Sequence, residues 1–169
     1  SNATYTLPTL SLTVTNPGGG GGTGGNATVS FSNVSGTNAS TAGFNANTAT
    51  AIVTKVGTKV TLISLTFIET SSSKPRTVTV AIGNGINEVK AGNFNAGNGA
   101  AVIYTETDVA TQKTRTWGSD SGGFVDLQSL TATEVKVGLG QIAMKASAGP
   151  LNTATGTFVL NGSGTGKVQ

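Results

Sequence analysis

The chain has 169 residues, of which 36% are hydrophobic and only 10% charged, with 25 glycines and neither His nor Cys. That composition excludes disulfides, the usual zinc sites, and Ser-His-Asp or Cys-His catalysis. The net charge of +3 comes from ten basic and seven acidic residues scattered singly, so no basic cluster is formed to engage nucleic acid, and no apolar run approaches the ~18 residues of a membrane-spanning helix.

Ser1, Asn2 and Ala3 read as the scar of a removed tag. Residues 4–15, TYTLPTLSLTVT, alternate with Leu10, Leu12 and Val14 on one face and form an N-terminal strand segment. Pro8 removes a backbone donor, which suits an edge position. Residues 16–25 are a Gly-rich linker, a coil spanning ~17 Å on average. Such a tether lets the segment dock on its own domain or on a second copy, so self-association through this strand is expected. A preceding module ending at residue 15 is the competing reading.

Residues 26–169 form the main domain, and their dominant period is two. ATVSFSNV (27–34) places Ala27, Val29 and Phe31 on one face. TATAIVTKV (48–56) is followed by TKVTLISLTFIE (58–69), in which Ile63, Leu65 and Phe67 share one face and Val60, Leu62 and Ile68 the other. A strand apolar on both faces is central. SSSKP (71–75) is a turn, and RTVTVAIG (76–83) follows with Val78, Val80 and Ile82 inward. The Asn/Gly-rich stretch after it is a loop holding at most a short strand. AAVIYTET (100–107) pairs with TRTWG (114–118), and SDSGG (119–123) turns into FVDLQSL. In TEVKVGLGQIAMKA (133–146) the apolar phase changes from odd to even, so Gly138 or Gly140 marks a β-bulge. The last strand is TATGTFVLNG (153–162). The prediction is an all-β fold, an antiparallel β-sandwich of about ten short strands, with a partly closed β-barrel as the alternative.

The order of these elements resembles a family of bacterial β-rich domains of unknown function found in secreted proteins and lipoproteins. The likeness rests on AGFNANTATAIV with the aromatic Phe44, the pair KVTLISLTFIE and RTVTVAIG, the tyrosine strand AVIYTET, SGGFVDLQSL, VKVGLGQIAMKA and ATGTFVLNG. KVGLGQIAMK departs from the expected pattern at one strand. The resemblance implies an extracellular or cell-surface location, with lipid anchoring of the full-length protein, and carries no catalytic residues.

Few residues are candidates for chemistry. Glu106 and Asp108 lie two apart on one strand, and Asp120 and Asp126 flank a Gly turn. Converging, these four carboxylates would suit a hard cation such as Ca2+. Against that, Asp in Gly-rich turns mostly caps backbone N–H groups, and the spacing matches no calcium loop. Nothing in the spacing supplies the paired carboxylates of a glycosidase. Ser71-x-x-Lys74 sits in a hairpin turn before Pro75, without the partner motifs that a Ser-Lys nucleophile needs. Trp117 and Tyr104 oppose each other across a hairpin; if exposed, their rings would stack on a sugar face, and if buried they stabilise the sheet. Arg115 is assigned to the face opposite Trp117. The expected function is therefore a non-catalytic structural or adhesive surface module, with a carbohydrate-binding module as the alternative. The two are separated by the exposure of Trp117 and Tyr104.

Overall fold

The computed structural model describes residues 24–70 and 73–169. The segment 4–15, its role in self-association and most of the linker lie outside the described residues. The fold is all-β: ten strands in one sheet, and no helix among the described residues. They are β1 (Gly25–Ser35), β2 (Phe44–Val56), β3 (Lys59–Glu69), β4 (Arg76–Gly83), β5 (Gly92–Ala96), β6 (Gly99–Asp108), β7 (Lys113–Ser119), β8 (Phe124–Leu130), β9 (Glu134–Ala146) and β10 (Thr157–Val168). Gly25, placed in the linker by sequence, is the first residue of β1.

The pairings close into a circuit. β1 lies between β2 and β10, and β2, β3, β4 and β6 follow in antiparallel order. β6 then passes to β7 along its second half and touches β5 at its start. β5 continues to β8, and both β7 and β8 pair with β9, which returns to β10. Side chains alternate across each strand, so one face of every strand turns inward. The inward positions hold one apolar cluster that includes Ile63, Leu65, Phe67, Val80, Ile82, Val102, Val137, Ile142 and Leu160, all buried. β3 is flanked on both sides, as its two-faced apolar pattern predicts.

Two local readings are sharpened. The bulge of β9 lies at Gly140 and Gln141, as the change of phase at Gly140 predicts: Ile142 faces Leu160 while Leu139 faces Gly162, so these two residues oppose the single Asn161. Gln141 has φ +53°, the left-handed region that side chains seldom adopt. Its backbone N–H and its side-chain amide both donate to Asn161 Oδ1, at 2.8 and 3.0 Å. That acceptor satisfies the group the bulge leaves unpaired. The neighbouring Gly140 has a different task, since a Cβ there would stand 2.4 Å from the Phe124 ring lying over it. Asn161→Ala is accordingly expected to cost about 1 kcal/mol, read as a melting temperature lower by about 2–4 °C; an unchanged melting curve would remove Asn161 from the bulge's support.

The last strand runs over 157–168 rather than 153–162. Its second half, NGSGTGKV, carries no apolar alternation because its inward positions are Gly164 and Gly166, set close against neighbouring side chains and backbone. A Cβ on Gly164 would lie 2.7 Å from both the Ala27 Cβ and the Phe67 ring. Phe67 fills the volume that a side chain would otherwise occupy, and small inward residues (Ala27, Ala49, Ala51) complete the close approach of β1, β2 and β10.

Candidate functional site

A cluster of charged and aromatic side chains lies at one end of the sheet, where β1 ends, β3 ends, β4 begins and β6 ends. Glu69, Arg76, Glu106 and Arg115 each continue the inward phase of their strand past its apolar run. Glu69 follows Phe67, Arg76 precedes Val78, Glu106 follows Tyr104, and Arg115 precedes Trp117. Residues two apart on a strand share a face, so Arg115 lies on the same side as Trp117 and not opposite it.

These groups form two ion pairs joined by Tyr104. Arg76 grips Glu69 with two bonds, Nε to Oε2 at 2.7 Å and Nη2 to Oε1 at 3.1 Å. Its guanidinium carbon lies 4.4 Å above the centre of the Phe44 ring, a cation–π contact. Burial opposes the charge of Arg76, but the bond to and charge of Glu69 outweigh it and hold its pKa above the usual value. Arg115 Nη1 donates to Glu106 Oε1 at 3.1 Å, and the Tyr104 hydroxyl donates to Glu106 Oε2 at 3.2 Å. Beneath them, Phe31, Tyr104, Trp117 and Phe158 pack with ring centres 5.2–5.8 Å apart, within the range favoured by aromatic pairs.

What this cluster binds is the protein's own loop between β1 and β2. Ser40 N–H donates to Glu106 Oε2 at 2.9 Å, and Ser40 O accepts from the Tyr104 hydroxyl at 3.4 Å. Ala42 O accepts from Arg76 Nη1 at 2.6 Å, and Asn38 O from Arg115 Nη1 at 3.2 Å. A second loop, between β9 and β10, joins the assembly. Asn38 Nδ2 donates to Thr153 O, and Asn38 Oδ1 accepts from Thr155 N–H. Trp117 Nε1 donates to Thr155 O at 3.0 Å. The Asn152 side chain bonds both backbone groups of Thr116, standing in for a missing strand partner. The result is a polar clasp holding two loops over an aromatic floor.

Tyr104 is also the most perturbed acid in this cluster. Burial first, and the neighbouring Glu106 charge second, push its phenol far above the ordinary value of 10.0. A raised pKa means that the neutral phenol stabilises the fold below the unfolded pKa and that this stability is lost as pH rises. In a Tyr5→Phe variant, where Tyr104 is the remaining tyrosine, the phenolate absorbance band is expected to appear only together with alkaline unfolding. A band developing near pH 10 in folded protein would contradict the burial of that hydroxyl.

The residues proposed from sequence are not assembled into one site. Trp117 and Tyr104 are both 0% exposed, so neither ring offers a face to a sugar. They are a packed pair on the inward side of the hairpin, because Trp117 faces Tyr104 directly across the ladder. Glu106 lies in the clasp. Asp108 caps the next turn, accepting from Ala110 N–H and Thr111 N–H; the Thr111 bond leads the causes that lower its pKa. Asp120 is exposed in the turn after β7, and Asp126 sits in mid-β8 between Asn93 and Gly138. Among the described residues no group of three or more carboxylates, His or Cys is placed to hold a metal. The four carboxylates therefore do not converge as a calcium site requires.

Outside the clasp the surface is shallow. A depression of about 480 Å3 lies at the opposite end, lined by Val53, Val60, Leu130 and Val168 with Lys55 as its sole ionisable group. The outward face of β2, β3, β4, β6 and β7 is flat in chemistry: Thr48, Ile68, Thr77, Thr105 and Thr116 form one row of cross-strand partners. Thr50, Thr66 and Thr79 form the next, and neither row holds a charge. No family model, curated protein or solved structure matches the chain.

Proposed function

We propose that the protein is a non-catalytic structural or adhesive module of the bacterial cell surface. The observation that carries this reading is the clasp. The largest gathering of charged and aromatic side chains is filled by backbone from loops 36–43 and 147–156, so its chemistry serves the fold. The charge-free threonine rows support it too, since contact through such a face depends on shape and hydroxyl bonding rather than on ionic steering. The strand pattern that resembles secreted and lipoprotein domains points to the same location. The carbohydrate-binding alternative relied on exposed rings at Trp117 and Tyr104, and the burial of both removes its support.

The test is labelling of intact source cells with a membrane-impermeant amine reagent. Lys55 and Lys59 are exposed and should react before lysis as fully as after it. Labelling only after lysis would overturn the surface assignment. A glycan array with no hit is expected; a hit that is lost in Trp117→Phe would restore the carbohydrate reading.

A further inference from the structure

β1 and β10 are antiparallel neighbours, with Asn26 opposite Thr165 at one end and Ser35 opposite Thr157 at the other. The described chain therefore enters and leaves at the same end of the sheet. Inter-strand bonds in such a pair run perpendicular to the strands. Tension applied through residues 24 and 169 acts along those bonds and loads them one pair at a time, from the shared end inward.

The opposite end is where both terminal strands run into the clasp. Loop 36–43 follows β1 and is held by Arg76, Tyr104, Glu106 and Arg115. Loop 147–156 precedes β10 and is held by Trp117 and Thr116. The two loops are also tied to each other: besides the Asn38 bonds to Thr153 and Thr155, Thr155 Oγ1 donates to Gly36 O at 3.1 Å. A peeling front that starts at Gly25 and Val168 thus meets, after 11 residues of β1 and 12 of β10, a joint that loads many bonds at once, several of them charge-assisted.

The geometry points to a tension-yielding device: the module unzips at low force from its tethered end and is arrested at the clasp, releasing chain without unfolding completely. Arrest keeps β2 to β9 paired while β1 and β10 are free, and the bulges at Asn33 in β1 and at Gln141 in β9 interrupt the β1–β10 and β9–β10 ladders along the way. This use of the geometry rests on the proposed reading of a structural or adhesive surface module, whereas the mechanical response is a property of the purified chain. The two therefore fail separately: cell labelling decides the location and the force measurement decides the device.

The experiment is optical-trap stretching of the purified chain. The absence of Cys lets introduced thiols carry the handles. With handles at the two chain ends, β1 and β10 should release first, a step of about 80 Å of contour, ahead of the remainder and at low force. With one handle at the C-terminal end and the other on Gln112→Cys, at the hairpin tip beside the clasp, β10 is loaded along its length. The force for the first event should then rise several-fold. Asn38→Ala, which cuts two of the three ties between the loops and leaves the Thr155–Gly36 bond, should shorten the lifetime of the arrested state without altering the initial low force. A single step that unfolds the whole chain in the parent protein, equal forces in the two geometries, or an arrest indifferent to Asn38→Ala would each overturn the proposal.

Discussion

Phe67→Ala is expected to destabilise the protein by about 3–5 kcal/mol and Leu65→Ala by about 2–5 kcal/mol. Both side chains are 0% exposed, on the strand with paired neighbours on each side. Phe67 is the more consequential because its ring also lies against Gly164 and so replaces the side chain that β10 lacks. Deleting the ring leaves a void between β3 and β10 that backbone cannot fill without moving the ladder. Gly164→Ala probes the same contact from the other side: the added methyl meets the ring and should itself cost about 1–3 kcal/mol. In the Phe67→Ala background part of that clash disappears, so the two changes should be less than additive. Chemical denaturation of the three variants measures all of this, and parent-like midpoints for Leu65→Ala and Phe67→Ala would displace β3 from the centre of the fold.

The legibility of this fold varied with the kind of residue facing inward. Where the inward residues are aliphatic or aromatic, as in β3, β4, β6 and β9, the period-two pattern locates the strand within a residue or two of its bounds. β10 lost its second half because Gly164 and Gly166 face inward there, and a glycine gives no apolar signal. The bulge was readable from the change of phase between Leu139 and Ile142. Gly140 marks its place, but that the next residue, Gln141, takes the positive φ was not readable, because it is held by Asn161, twenty residues away in sequence. The clasp left a usable signal that went unread: Glu69, Arg76, Glu106 and Arg115 all fall on the inward phase of their strands, at the ends that antiparallel order brings together. A charge in an inward position needs a partner, and four of them at one end supply each other. What remained hidden is that loop backbone completes the set, since residues 36–43 are small and mostly polar and carry no apolar period.

Glu106→Ala is expected to be the most damaging single change in the clasp, at about 3–5 kcal/mol, since it removes the charged acceptor of three hydrogen bonds at once. Glu106 is 2% exposed and accepts from three donors: Ser40 N–H, the Tyr104 hydroxyl and Arg115 Nη1. Removing it takes away the one acceptor of Ser40 N–H and leaves Arg115 Nη1 with Asn38 O and the Tyr104 hydroxyl with the longer bond to Ser40 O, and a half-buried donor left without a partner has its own cost. Arg115→Met should cost markedly less. Its side chain is 22% exposed, its Nε is buried without a hydrogen-bond partner, and the methionine stem retains packing on the aromatic floor. Glu106 would still hold the Ser40 and Tyr104 bonds. The asymmetry follows from where the unpaired groups are left, not from the strength of the Glu106–Arg115 contact. Combining Glu106→Ala with Arg115→Met removes the guanidinium along with its carboxylate acceptor, so the double variant should be more stable than the sum of the single losses implies, by about 0.5–3 kcal/mol. Additive losses would mean that the guanidinium already reaches solvent in the single variant and that the pair does not hold the loop. Equal losses from the two single changes would place the clasp's weight on the ion pair itself and not on the three-donor carboxylate.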